Sequence, residues 1–257
     1  MWRSLKSSVA GTSHTALKLP CQDAHTVEET SYQGNACLVV AIADGAGTAK
    51  YAEAGARFSA DNWAGLALDA LSTSSEISEK RLTEWADQVR CNLTDLALRE
   101  ENPVGEYACT LLGAVITREH ALFFQIGDGA WIAKEKDGYL AATWPTKGQY
   151  ANEAVFITSS DSHLHYQTKT VANPLAIAGF TDGLENLALV FKSKTVHEGF
   201  FEPMFQHILE AKDASQLQPQ LEGFLKSEKI NERTDDDKTL VLIVRVSRDG
   251  AHAQSIG

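Results

Sequence analysis

The sequence predicts an α+β protein built mainly from antiparallel strands. Predicted strands come in one block, predicted helices follow in a second block, and both then recur, which is unlike the strand–helix alternation of a doubly wound sheet. Turn-forming segments at 31–35 and 118–120 join neighbouring strands as hairpins. No internal repeat or linker divides the 257 residues, so we expect one domain over residues 1–257.

The composition is that of an ordinary globular protein, with 44% hydrophobic and 22% charged residues. The net charge of −11, from 34 acidic and 23 basic residues, argues against nucleic acid or an anionic membrane as a partner. Residues 1–14 lack the apolar core of a signal peptide, and no apolar run is long enough to span a membrane. The cysteines match neither a zinc site nor a disulfide framework, which favours a cytoplasmic location; they are Cys21, Cys37, Cys91 and Cys109.

The first half of the chain predicts a strand hairpin followed by two long helices. Residues 1–35 open with short polar and small stretches, and a predicted strand at 25–29 pairs with another at 36–43. Small and aromatic residues at helical spacing predict a helix over 51–71. A second apolar stripe predicts a helix that ends near Arg99. We interpret both stripes as core.

The second half predicts further hairpins, three helices and a closing strand. Strands are predicted at 108–117, 121–126, 130–133, 155–158, 163–172, 175–180 and 240–246. A loop is predicted at 144–154. Helices are predicted at 184–192, 196–211 and 215–229.

Three of the predicted buried strands run directly into an Asp-Gly pair. The aspartates are Asp44, Asp128 and Asp182. A carboxylate at the end of a buried strand is costly unless another group pairs with it. A single Asp-Gly pair is more often a turn than a ligand, but turn chemistry does not explain why three buried strands end in the same way. The three aspartates are therefore candidates for one shared site.

Two more acidic positions lie next to predicted strands. Asp23 precedes the first predicted strand, and the run Asp235–Asp237 precedes the closing strand. Several carboxylates in a small volume cannot all stay ionised without a cation, and an oxygen-only ligand set points to Mg²⁺ or Mn²⁺. Two such ions lower the pKa of a bound water and hold phosphoryl oxygens for in-line attack. For the run alone, a solvated acidic loop is an equally good interpretation.

Five segments resemble, in order, the motifs of the protein phosphatase 2C family of metal-dependent Ser/Thr phosphatases, and most closely its compact bacterial branch. They are Gly11–His14 with Pro20–Ala24, Ala43–Gly47, Cys109–Leu112 with Ile126–Gly129, Phe180–Leu184, and Asp236–Thr239. Each motif alone is weak, whereas five in the family's order over residues 8–246 form a specific pattern. The resemblance implies a four-layer α-β-β-α sandwich, with two mainly antiparallel sheets flanked by helical hairpins.

The resemblance also implies how two metal ions are held. Asp44 would bridge the two ions, with the Gly45 carbonyl as a further ligand. Asp182 and Asp236 would complete the ligands of one ion, and a hydroxide bridging both Mn²⁺ or Mg²⁺ ions would attack phosphoserine or phosphothreonine on a protein. Asp44 is therefore also a predicted catalytic residue.

Two further aspartates have implied roles at the edge of this site. Asp23 would lie beside the other ion, directly or through water, and Asp128 would help to hold a third, weaker ion. The partners implied are phosphorylated proteins made by an opposing Ser/Thr kinase, and the implied state is a monomer.

The chain departs from the family pattern at several positions near the expected phosphate. Gln22 stands where the family usually has a glutamate, so one acidic contact becomes neutral. Lys18 stands where many members have an arginine, and His14 lies four residues earlier. Both are candidate catalytic residues that contact phosphate, Lys18 as a point charge without a bidentate fork. Ala46 replaces the histidine of a D-G-H-G motif, so the leaving-group proton must come from another source.

Other sources of that proton and other functions stay open at this point. His163 and His165 lie where family members carry a variable flap, and they are weaker candidates for a catalytic role. A catalytically weak protein of the same fold that holds a phosphorylated partner is favoured by Gln22 and the missing arginine. A metal-dependent phosphodiesterase or nuclease fits less well, because the acidic surface opposes nucleic acid.

Overall fold

Two five-stranded sheets carry the fold, which a computed structural model describes over residues 1–146 and 155–246. The strands are β1 (Trp2–Val9), β2 (Asp23–Tyr32), β3 (Asn35–Asp44), β4 (Leu111–Ile116), β5 (His120–Ile126), β6 (Ala130–Glu135), β7 (Gly138–Ala141), β8 (Gln167–Ala172), β9 (Ala176–Phe180), β10 (Leu189–Val190), β11 (Thr195–Val196) and β12 (Lys238–Arg245). The α-helices are α1 (Thr12–Leu17), α2 (Ala52–Ser72), α3 (Glu79–Arg99), α4 (Glu185–Ala188), α5 (Glu198–Glu210), α6 (Gln218–Leu225) and α7 (Glu228–Asn231). Short 3₁₀ helices lie at Val104–Tyr107, Ser162–His165, Asp182–Leu184 and Ala214–Leu217.

Both large sheets are antiparallel throughout. The first has the strand order β1-β12-β9-β6-β7, and the second has the order β2-β3-β4-β5-β8. A separate two-stranded ladder joins β10 to β11. The predicted α+β class with antiparallel strands is therefore confirmed.

Three layers of buried side chains divide the molecule into four layers of secondary structure. One packs α2 and α3 against the second sheet and includes Trp63. The middle layer lies between the two sheets and includes Ile42 and Ile243. The third packs α5 and α6 against the first sheet and includes Phe201 and Phe205. This arrangement is the α-β-β-α sandwich that the resemblance implies.

Strand β3 shows why its sequence has no polar alternation. Val39 and Ala41 face the layer under α2 and α3, whereas Val40 and Ile42 face the other sheet. Because both faces of the strand are covered, apolar residues are favoured at every position. The run ends at Asp44, where the strand reaches the edge of the sandwich.

Several predicted elements are confirmed. The two long predicted helices are α2 and α3, and the predicted helix at 196–211 is α5. The predicted hairpin is β2–β3, which pairs from Asp23↔Asp44 to Tyr32↔Asn35. Of the predicted loop at 144–154, residues 147–154 lie outside the described part of the chain. Over the two described ranges, no helix has both the length and the hydropathy that crossing a bilayer requires.

The N-terminal segment differs from the prediction, because the short polar stretches contain β1 and α1. Strand β1 pairs with β12 along its whole length, from Trp2↔Arg245 to Val9↔Lys238. It lies at the edge of its sheet, where serines and lysines are tolerated between apolar residues. Because apolar and polar residues alternate only weakly in such an edge strand, the sequence pattern does not predict β1.

Four predictions in the second half are wrong in part or in full. The predicted strand at 155–158 is a loop, because Val155 and Ile157 are buried against the core without a strand ladder. The segment 163–172 begins as a 3₁₀ helix and becomes a strand only in β8. The helix predicted at 184–192 stops at Ala188, since the chain then enters the β10–β11 ladder. The helix predicted at 215–229 consists of two separate helices, α6 and α7.

Candidate metal centre

Three of the predicted aspartates meet at one edge of the sandwich. Asp44 ends β3, Asp128 lies in the turn between β5 and β6, and Asp182 follows β9. One carboxylate oxygen from each lies within 4.8 Å of the others. Like charges at this separation oppose one another unless a cation or protons intervene. The predicted convergence of the three Asp-Gly strand ends is therefore present in the fold.

Asp23 joins this site from the neighbouring strand and is anchored to the opposite sheet. It is buried, and it is the direct ladder partner of Asp44. The hydroxyls of Thr181 and Thr239 each donate to Asp23 Oδ2 at 2.8 Å. Asp23 belongs to the second sheet, whereas Thr239 lies in β12 of the first sheet and Thr181 directly follows β9 of that sheet, so these bonds tie the two sheets together at the site.

The backbone of the Asp128 turn is held by a group that the sequence analysis does not single out. Gly129 has a φ of 84°, and a Cβ there would lie 2.3 Å from the Phe180 carbonyl oxygen, so only glycine fits. Its N–H donates to Glu185 Oε1 at 3.1 Å. Glu185 is buried and follows the Asp182 motif, so it links two of the three motifs. The sequence feature that could have pointed to Glu185 is its position, as a charged residue directly after Asp182-Gly183-Leu184.

Burial and mutual repulsion disfavour ionisation of the clustered carboxyls. Burial, and then the charges of Asp23, Asp182 and Asp128, raise the pKa of Asp44 well above its usual value. Burial, and then the charges of Asp128 and Asp236, raise the pKa of Asp182 to about 7. Burial raises the pKa of Asp23 to about 8, although the hydrogen bonds from the two threonines oppose that change. A divalent cation among these groups would reverse the balance.

The residues present fit a hard divalent cation. Within the described part of the chain, Asp23 Oδ1, Asp182 Oδ1 and Gln22 Oε1 are buried oxygens without a hydrogen-bond partner. Buried oxygens of this kind are costly unless they bind something. The three-carboxylate cluster offers oxygen ligands alone, as Mg²⁺ and Mn²⁺ prefer. Gly45, the predicted carbonyl ligand, directly follows Asp44, and its N–H donates to the Gln22 carbonyl at 3.2 Å.

The acidic run before β12 divides into an exposed part and a buried part. Asp235 and Asp236 are exposed, so a solvated loop describes them in part. Asp236 lies outside the 4.8 Å cluster, although its charge contributes to the raised pKa of Asp182. Asp237 is buried, and its carboxylate accepts hydrogen bonds from the backbone N–H groups of Gly11 at 2.7 Å and Gln22 at 2.5 Å. The sequence pattern does not distinguish Asp237 from its neighbours.

Asp237 also holds the predicted catalytic residue His14. His14 Nδ1 lies 2.8 Å from Asp237 Oδ2, and this contact connects α1 to the start of β12. Lys18, the other predicted phosphate contact, ends α1 with a φ of 59° and is exposed. The structure therefore fixes the orientation of His14 and leaves the Lys18 side chain in solvent.

Lys238 is a buried cation that the sequence analysis also passed over. Its side chain is fully buried, and Nζ donates to the Asp236 carbonyl oxygen at 2.9 Å. Burial lowers the pKa of Lys238, and attraction to Asp237, Asp236 and Asp23 opposes that change. One buried ammonium thus partly offsets the negative charge beside the cluster.

Comparison with known proteins identifies the family. The family model described as Protein phosphatase 2C matches residues 10–226. The chain belongs to the protein phosphatase 2C family. The chain is also 34% identical over 246 residues to Serine/threonine-protein phosphatase 3 of Escherichia coli (strain K12), which covers 94% of this chain and 97% of that protein. Both findings confirm the predicted enzyme class, a metal-dependent Ser/Thr protein phosphatase.

Solved structures of bacterial phosphatases share the fold of this protein phosphatase 2C member. Serine/threonine phosphatase Stp1 from Staphylococcus aureus aligns with a TM-score of 0.63 at 15% identity, covering 96% of each chain. The catalytic domain of the serine threonine protein phosphatase PstP, solved with 2 manganese ions, aligns with a TM-score of 0.61 at 14% identity. That alignment covers 96% of this chain and 99% of that one. At such identity these likenesses support the fold, and the predicted four-layer architecture is confirmed.

Proposed function

We propose that this protein hydrolyses phosphoserine and phosphothreonine on proteins with two Mn²⁺ or Mg²⁺ ions at the aspartate cluster, and with a third, weaker ion. The residues proposed to hold the ions are Asp23, Asp44, Gly45 (through its carbonyl), Asp128, Asp182 and Asp236. The observation that carries the proposal is the approach of Asp44, Asp128 and Asp182 oxygens to within 4.8 Å. Unpartnered oxygens on Asp23 and Asp182 support it further.

The chain's own side chains have distinct tasks in this reaction. When bound, divalent ions supply Lewis acidity toward phosphoryl oxygens and lower the pKa of water. Asp44, at the centre of the predicted ligand set, is the residue whose loss should be most severe. Thr181 and Thr239 fix the orientation of the Asp23 carboxylate. Glu185 holds the backbone that follows Asp128.

His14 and Lys18 are proposed to contact the phosphate of the substrate. Asp237 accepts the Nδ1 hydrogen bond of His14, and in the imidazolium form, which carries a proton on both ring nitrogens, Nε2 can donate to a phosphoryl oxygen. The ring is held in one orientation before substrate binds, so little side-chain entropy is lost. Lys18 is exposed and adds a mobile positive charge nearby.

The setting of the reaction is part of the same proposal. We place a single catalytic domain over residues 1–257, acting as a monomer in the cytoplasm on proteins phosphorylated by a Ser/Thr kinase. All four cysteines are free thiols, which supports a reducing compartment. Cys37 and Cys109 are buried, and burial raises the pKa of each thiol to about 12, so both act as small core residues.

A catalytically weak phosphoprotein-binding protein is the second candidate function. Gln22 favours it, since its unpartnered Oε1 is a neutral oxygen where the family usually offers a carboxylate. Such a protein would bind a phosphopeptide without metal and release no phosphate.

Phosphate release from a phosphopeptide panel under metal titration tests the proposal. We expect turnover of phosphoserine and phosphothreonine peptides only with Mn²⁺ or Mg²⁺, and a loss of at least about a hundredfold in Asp44→Asn. Asp137→Asn is the matched control, because Asp137 lies in an exposed Asp-Gly turn between β6 and β7. If no divalent metal supports turnover, the proposal is wrong. Binding of a phosphopeptide without metal and without phosphate release would establish the second candidate.

A further inference from the structure

A chain of hydrogen bonds runs from Asp23 away from the metal centre. Asp23 Oδ2 accepts from Thr239 Oγ1 at 2.8 Å. Thr239 Oγ1 lies 2.6 Å from Ser8 Oγ, and Ser8 Oγ lies 2.8 Å from His25 Nδ1. These four side chains come from β2, β12 and β1, so the chain crosses between the two sheets. We call it the Asp23 relay.

Counting protons fixes the direction of every bond in the Asp23 relay. Thr239 has one hydroxyl proton, which it donates to Asp23 Oδ2. Ser8 must therefore donate to Thr239, which uses the only proton of Ser8. His25 Nδ1 must then carry a proton and donate to Ser8. All three bonds point toward Asp23, an arrangement in which each bond polarises the next.

The same count of protons and lone pairs shows which oxygen of the Asp23 carboxylate can bind a further group. Oδ2 accepts from Thr239 and also from Thr181, each at 2.8 Å, so both of its lone pairs are used. Thr181 is itself held by the Thr239 N–H, which donates to its hydroxyl at 2.9 Å. Oδ1 is buried and has no hydrogen-bond partner among residues 1–146 and 155–246. Asp23 can thus offer one oxygen, on a carboxylate that cannot rotate freely.

We propose that Ser8 and His25 are positioning residues that act through Thr239 to leave Asp23 Oδ1 as the oxygen offered to a divalent cation. This inference rests on the proposed function, because it takes Asp23 as a metal ligand. Groups that orient a ligating carboxylate typically change metal affinity by about ten- to a hundredfold when they are removed. His25 hydrogen-bonds to Ser8, and Ser8 hydrogen-bonds to Thr239, which donates to Asp23, so the effect of both residues is transmitted through Thr239.

Strand β1 provides a matched control for this relay. Ser8 is the ladder partner of Thr239, and its side chain points between the sheets, as does Lys6, whose Nζ donates to the Val27 carbonyl at 3.1 Å. Successive side chains of a strand face opposite sides, so the neighbouring Ser7 faces the helices. Ser7 is buried whereas Ser8 is half-buried, and Ser7→Ala removes the same hydroxyl group from the same strand.

Mn²⁺ affinity of the full chain, measured by calorimetry, tests the relay. We expect Ser8→Ala and His25→Leu to raise the Mn²⁺ dissociation constant about tenfold. His25→Asn retains a donor near the Nδ1 position and should bind within about threefold of wild type. Ser7→Ala should bind like wild type. Thermal unfolding without metal, recorded for all variants, separates loss of fold from loss of affinity.

The outcomes distinguish failure of the relay from failure of the proposed function. Wild-type affinity in Ser8→Ala, or equal weakening in Ser7→Ala and Ser8→Ala, would overturn the relay alone. If His25→Asn binds as weakly as His25→Leu, the donor at Nδ1 has no role and the relay is again overturned. A wild type that binds neither Mn²⁺ nor Mg²⁺ overturns the proposed function and the relay with it. None of these readouts depends on phosphatase activity.

Discussion

Asp23 and Asp44 face each other as a directly paired position of the β2–β3 ladder. Paired residues of an antiparallel ladder have Cβ atoms about 5 Å apart, and like charges placed there destabilise the pair. The β2–β3 pairing thus places the two acidic motifs at the site together, and the same strand register holds the Asp23 and Asp44 carboxylates close enough to repel each other. A cation between the carboxylates removes that cost, so metal binding and fold stability must be coupled.

Metal-free protein should lose stability as the pH rises. The pKa of Asp182 is raised from 3.8 to about 7, by burial and then by neighbouring charges, so the folded state keeps its proton at a pH where the unfolded chain has lost it. Between these values the free energy of unfolding falls with increasing pH, and above the folded-state pKa the loss is complete. The melting temperature in EDTA should fall between about pH 4 and about pH 7, and saturating Mn²⁺ should remove the fall.

Asp182→Asn controls for the other titrating groups. It keeps the shape of the side chain and removes the charge, so its melting temperature in EDTA should fall less steeply over the same range. At the upper end of that range it should be at least as stable as wild type. An identical pH dependence in wild type and Asp182→Asn would show that the clustered charges do not govern stability.

Replacing Glu185 should loosen the turn that carries Asp128. Glu185→Ala removes the acceptor of the Gly129 N–H, and a buried donor without a partner costs about 1–3 kcal/mol. Urea unfolding should show that loss, and Mn²⁺ should bind more weakly. Glu185→Gln retains an acceptor oxygen and should lose less than half as much of the unfolding free energy. Equal losses in the two variants would mean that the hydrogen bond to Gly129 is unimportant.

The three clustered aspartates could be predicted because each follows a mainly apolar run, interrupted by Gln125 before Asp128 and by Thr181 before Asp182. A strand covered on both faces is visible in the sequence, and a carboxylate at its end is conspicuous. Asp44, Asp128 and Asp182 satisfy this condition, and stacked antiparallel sheets bring such strand ends to one edge. Local sequence was therefore enough for the centre of the site.

The supporting groups could not be predicted, because they depend on pairings between distant parts of the chain. Asp237 accepts a hydrogen bond from the Gly11 N–H, 226 positions away in the sequence. The residue pattern around neither position predicts that the two segments meet. Ser8 lies in an edge strand whose polar residues hide its periodicity. Glu185 acts through a backbone group 56 positions away. Such contacts follow from the sheet order, which local pattern does not specify.

Gly129→Ala should be among the more damaging small substitutions. A non-glycine residue at a φ of 84° costs about 1–3 kcal/mol, and the added Cβ would also lie 2.3 Å from the Phe180 carbonyl oxygen. Gly34→Ala is the control, because Gly34 has a similar φ of 76° with nothing within 4 Å of a Cβ. Urea unfolding should show a clearly larger loss for Gly129→Ala. Equal losses of unfolding free energy in the two variants would mean that the Asp128–Gly129 turn accommodates the added Cβ without a further cost.

Removing His14 should weaken substrate binding more than removing Lys18. A hydrogen bond to a charged group contributes about 1.5–3 kcal/mol, so His14→Ala should raise KM for a phosphoserine peptide by about ten- to a hundredfold. Lys18 is exposed, so an interaction of its side chain with phosphate is screened by solvent, and Lys18→Ala should raise KM about twofold or less. Asp237→Asn should fall between them, because the ring stays present but loses its carboxylate acceptor. Steady-state kinetics at saturating Mn²⁺ give both constants, and an unchanged KM with a reduced kcat in His14→Ala would contradict a phosphate contact, since the residue would then act only in the transition state.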